Sequence, residues 1–102
     1  MTDRESSLPV GVDQLRTAVR VSSDAFDEEL LGLAEAAVED MERAGVPAAY
    51  VAQAPALVRT AVLTYVKSRF GLDNDEAQRL DASYRQALCD LLISPSLYAE
   101  GE

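Results

Sequence analysis

Histidine and tryptophan are absent from all 102 residues, and cysteine occurs once, as Cys89. Each gap excludes a class of chemistry. A single thiol rules out an intramolecular disulfide framework, and without histidine the usual zinc ligand sets cannot be assembled. Acid–base or nucleophilic catalysis near neutrality would need a strongly shifted carboxylate, lysine or cysteine, and nothing in the sequence marks one. No cofactor or metal is expected, and no enzymatic activity. No apolar stretch approaches the roughly 20 residues that cross a bilayer, and the opening MTDRESSLPVG lacks the apolar core of a signal peptide. A soluble protein in a reducing, cytosolic compartment is expected. Positive charge is scarce too: 9 Lys and Arg against 18 Asp and Glu give a formal net charge of −9. Phosphate backbones and anionic lipid headgroups are repelled by such a surface, so sequence-specific nucleic-acid binding and membrane association are both disfavoured. The same charge also serves simply to keep a surface solvated.

Helical periodicity is what the chain does have. A chain this long buries about two thirds of the surface that its unfolded form exposes, enough for one domain without staples. The pattern predicts an all-α fold: a compact bundle of four main helices in a single domain over residues 1–102, with a loose arm at 1–9 and a short acidic tail at 94–102. In VGVDQLRTAVRV, residues Val12, Leu15, Ala18 and Val19 recur at spacings of three and four, which places the first helix at about Val12 to Val21. Ser23 or Asp24 is the natural cap for the second, since a short oxygen-bearing side chain accepts from free backbone amides, and Asp27, Glu28 and Glu29 suit the positive end of the helix dipole. Its apolar stripe runs Phe26, Leu30, Leu33, Ala34, Ala37 and Met41, with Glu28, Glu35, Glu39 and Glu42 in a narrow arc on the other side. Gly45 and Pro47 end it.

Between Gly45 and Pro55 the breakers predict an ordered loop, with Tyr50 and Val51 as a small hydrophobic plug. Pro55 suits the first turn of a third helix, ALVRTAVLTYVKSRF, which is apolar around much of its circumference. Lys67 and Arg69 stand where its last carbonyls carry partial negative charge, and Gly71 suits a left-handed stop. Asp73 then caps a fourth helix through Ala77, Leu80, Tyr84, Ala87, Leu88, Leu91 and Leu92, ended by Ser94 and Pro95. The cluster DNDE at Asp73 to Glu76 lacks the ligand spacing of a calcium loop and reads as capping. Cys89, beside the fourth helix's stripe, reads as a small buried or interface thiol.

Apolar residues off these stripes need an explanation. Leu31 and Val38 lie seven apart beside the core face of the second helix, Leu63 and Phe70 repeat that spacing on the third, and Ile93 ends the fourth. Leu97 and Tyr98 are the large apolar groups of the tail. Together they are the expected subunit or partner contacts, although a broad core with irregular helix angles accounts for the same pattern. The glutamate stripe reads as a solvated face, a contact for a basic partner, or a mimic of nucleic-acid charge.

The order LRTAVRV, SSDAFDEELLGLAEAAVEDMERAGV, APALVRTAVLTYVKSRFG and LDNDEAQRLDASYRQAL resembles the head–tail connector, or adaptor, family of tailed phages and prophages, from Leu15 to about Leu92. The most specific pieces are DAFDEEL, AVLTYVKSRFG and RLDASYRQAL, none of them catalytic. The resemblance implies a helical protomer that builds a homo-oligomeric ring of about twelve copies, placed between the portal protein and a stopper or tail-completion protein. It implies assembly in the host cytoplasm and residence in the virion neck. From the residues alone two other classes remain: an acidic helical decoy that inhibits a DNA-binding protein, and a cryptic enzyme.

Overall fold

The chain forms five helices in a computed structural model that describes residues 8–70 and 76–92. They are α1 Val12–Val19, α2 Asp27–Ala44, α3 Ala48–Ala52, α4 Ala56–Arg69 and α5 Ala77–Leu92. There is no strand among the described residues, and the fold is all-α.

The helix ends follow from backbone hydrogen bonding. At the start of α1 the Gly11 N–H donates to Gln14 Oε1 at 2.9 Å. α1 stops two residues earlier than the sequence predicts because Arg20 turns left-handed, at φ 62° and ψ 42°. Its N–H then reaches the Thr17 carbonyl, and the Val21 N–H reaches that of Arg16, so two end carbonyls are satisfied at once. Gly45 closes α2 in the same way, at φ 124°, with the Val46 N–H on the Met41 carbonyl at 3.0 Å. Pro55 precedes α4 in extended conformation, as its missing amide hydrogen allows.

Two local expectations are corrected. α2 does not start from a Ser23 or Asp24 cap: the Ser23 Oγ is used in a bend, accepting from the Ala25 N–H at 3.3 Å, and Phe26 stands immediately before the first helical residue. The loop after Gly45 contains α3, one turn long, whose Tyr50 and Val51 are both buried as the predicted plug. Five residues are too few for periodicity to register.

The core is one cluster to which every helix contributes: Leu15 from α1, Leu30 and Met41 from α2, Val51 from α3, Val58 and Val62 from α4, and Tyr84 and Leu91 from α5. α4 lies at its centre, packed against α1, α2 and α5, which explains why its apolar residues surround so much of the cylinder. α2 presents a face rotated by about 40° from the predicted stripe, counted at 100° per residue. Leu31 comes inside, 1% exposed, while Phe26 goes outside at 44% and Leu33 is half-buried. Pro9 and Val10 are also buried and Leu8 is half-buried, so the chain is already packed on the core before α1 begins. The expected arm is not loose there. The rest of that arm, the Gly71 stop, the Asp73 cap and the 94–102 tail lie outside the described residues.

Candidate interaction surface

Leu63, Lys67 and Phe70 follow one another along a single flank of α4, and α1 lies beside them. Asp13, Gln14, Thr17 and Ala18 border the groove at Leu63, while Ala18, Val19 and Arg20 border it at Phe70, where Leu80 of α5 closes the end. Phe26 meets the Phe70 ring edge-on, with centroids 5.5 Å apart and planes at 85°. The result is a furrow with an aromatic step and two cations, Arg20 and Lys67, at the Phe70 end and the Asp13 carboxylate at the Leu63 end.

Of the expected contact residues, the structure brings Leu63 and Phe70 together in this groove. Val38 is half-buried on α2, apart from them. Leu31 is a correction: its side chain is fully enclosed by the chain's own core and leaves no surface for a neighbour. Ile93, Leu97 and Tyr98 lie outside the described residues. Sequence reasoning missed Phe26 and Arg20 as groove residues. Phe26 looked like core by hydrophobicity alone, and the left-handed turn that positions Arg20 has no glycine to announce it. Cys89, expected to be buried or in an interface, is exposed: it lies on the solvent side of α5.

Charge is arranged in two patterns. On α2, Glu28, Glu39 and Glu42 are exposed and Glu35 is half-buried, along the arc that the sequence predicts. Elsewhere charge is spent on holding helices together. Arg16 of α1 grips Asp27 of α2 through two hydrogen bonds, Nε to Oδ1 at 2.9 Å and Nη2 to Oδ2 at 2.5 Å. Asp27 is 8% exposed, and its carboxyl is held below its usual range chiefly by that hydrogen bonding. On the far side, the Tyr84 hydroxyl donates to Asp40 Oδ2 at 2.6 Å, tying α5 to α2. Burial, and then that hydrogen bond, push the phenol above its ordinary value. The Tyr84 ring packs edge-on against Tyr65 at 5.0 Å, and the Arg69 guanidinium stacks 3.8 Å from the Tyr65 centroid. Arg69 and Arg85 both reach Asp81, whose carboxyl is lowered mainly by the Arg85 hydrogen bond. The lowered carboxyls move away from neutrality, the opposite of what a general acid or base at pH 7 requires.

Among the described residues no group of three or more His, Cys, Asp or Glu side chains is placed to hold a metal ion. None of the described helices is long and apolar enough to cross a membrane. Among the described residues the candidate site is the α1–α4 furrow. A family model described as phage connector protein matches residues 12–96. The chain belongs to the phage connector protein family. The match begins with the first residue of α1 and runs past the end of α5, so every described groove residue of this connector falls inside it. Leu97 and Tyr98 fall just beyond it. No curated protein and no solved structure matches the chain.

Proposed function

We propose that this connector is the protomer of a homo-oligomeric ring at the head–tail junction, seated beneath the portal protein and passing the channel on to a stopper or tail-completion protein. The family match over residues 12–96 carries this reading. Two physical features support it. The apolar furrow between α1 and α4 leaves surface that a second macromolecule can cover, as subunit contacts require. The net charge of −9 suits a ring around a DNA channel, because a repulsive surface lets the genome pass without adhering. The role is mechanical and involves no reaction. Assembly takes place in the host cytoplasm, and the finished ring resides in the virion neck.

The test is co-expression with the portal protein encoded in the same phage or prophage, followed by affinity capture through the portal and electron microscopy of what is retained. The expected result is a stoichiometric complex containing a closed ring of about twelve copies. A portal that retains no connector, under conditions where both proteins are folded, overturns the reading.

A further inference from the structure

We propose that the α1–α4 groove receives the glutamate-bearing flank of α2 from a second copy of this chain, with Arg20 and Lys67 on its rim facing Glu39 and Glu42. This rests on the ring reading above and adds which two surfaces meet.

The observation that points there is Arg20. Its left-handed backbone, φ 62°, is a conformation that disfavours a side-chain-bearing residue, and glycine or asparagine would close α1 at lower cost. Most other arginines among the described residues have a carboxylate: Arg16 with Asp27, Arg43 with Asp40, Arg69 and Arg85 with Asp81, Arg79 with Glu76. Arg59 instead donates to the Ala54 carbonyl. Arg20 has no side-chain partner among the described residues and is exposed at the mouth of an apolar furrow. A strained cation without a partner, in a chain of net charge −9, marks a place where negative charge arrives from outside.

The chain carries a matching surface. Glu28, Glu35, Glu39 and Glu42 share one flank of α2, and Val38, half-buried, borders them. Carboxylates with an apolar neighbour complement the Phe70 end of the furrow, where Arg20 and Lys67 stand on the rim, and not the Leu63 end, where Asp13 does. The two surfaces cannot meet within one molecule. Phe26, which touches Phe70 at the groove, points from the opposite flank of α2 to the glutamates, roughly half a turn round at 100° per residue. Complementary patches on opposed sides of one body pair head to tail. Such pairing propagates from copy to copy and closes as a ring when the rotation allows, whereas a two-fold dimer would need one self-complementary patch.

The experiment uses the full chain with Cys89→Ser, carrying either Ala18→Cys in the groove or Glu39→Cys on the stripe, the two variants being mixed under mild oxidation. The expected product is a disulfide between the two variants, well above what either forms alone. Arg20→Asn in the Ala18→Cys chain removes the cation while suiting the left-handed backbone. It should weaken association by about tenfold or more, the size of one interfacial charge pair, with thermal stability unchanged or raised. Arg20→Glu mixed with Glu39→Lys/Glu42→Lys should recover association that Arg20→Glu loses alone. If oligomers form without the 18–39 disulfide and ignore Arg20→Asn, the pairing is overturned and the ring reading stands. If light scattering finds no self-association up to about 1 mM protein, the pairing is again overturned, and the ring reading then depends on capture by the portal alone.

Discussion

At the junction of α1 and α2, the Arg16 guanidinium and the Asp27 carboxylate meet with both oxygens engaged, an arrangement that fixes orientation as well as charge. Asp27 therefore has a lower pKa in the folded chain than in the unfolded one. Below neutrality the unfolded carboxyl takes up its proton first, at about pH 4, so the native state binds fewer protons and stability rises with pH through that window. The contribution is complete above it and is lost as pH falls through the lowered value. Asp27→Asn should thus melt below wild type at about pH 7, with the gap narrowing towards about pH 3. A gap that stays constant across that range would assign the loss to packing and not to charge. None of this pairing was legible in the sequence. Eleven residues separate the partners, and Asp27 already had a sufficient local role at a helix start, so nothing in the spacing called for a second one.

On the scale of elements, α2 illustrates both what periodicity reads well and where it slips. Its glutamate arc and its stop at Gly45 stand as the sequence has them, because charge and glycine are unambiguous signals. Its apolar face is rotated because Phe26 weighs heavily in any hydrophobic average, while its position just before the helix lets it leave the core and meet Phe70. Leu31 fills the place this opens. Leu31→Ala should accordingly cost about 2–5 kcal/mol in denaturant unfolding, as other leucine truncations in closed cores do, whereas Phe26→Ala should cost about 1 kcal/mol, close to the worth of one exposed aromatic contact. A larger loss at Phe26 than at Leu31 would mean that the predicted stripe describes the packed state after all. α3 escaped for a different reason. Between Pro47 and Pro55 the breakers are real, and a single turn held by Tyr50 and Val51 owes its form to burial, not to propensity.

Considered whole, the described residues spend most of their arginines, Arg20 excepted, on ties within the chain, while Glu28, Glu39 and Glu42 of α2 face solvent. Duplex DNA should show no retention by the free connector in a gel-shift titration at physiological salt, and retention below about 1 μM would contradict the repulsive-surface account. Fold class and net charge were legible from the start because both are sums over many residues. The groove was half legible: Leu63 and Phe70 stood out as surplus apolar groups, but its other wall comes from α1, and only tertiary packing brings that wall alongside. The same packing divides the body unequally. α5 rests chiefly on α4, with Tyr84 and Leu91 as its buried residues and the Tyr84–Asp40 hydrogen bond as its tie to α2. Because most of its packing is on one neighbour, α5 can lift as a unit: its amides should exchange with deuterium before those of α2 and α4, at a free energy below that of global unfolding. Tyr84→Phe should hasten that opening, giving the connector a detachable side that would unlatch the groove at its Leu80 end while the wall from α1 stays in place.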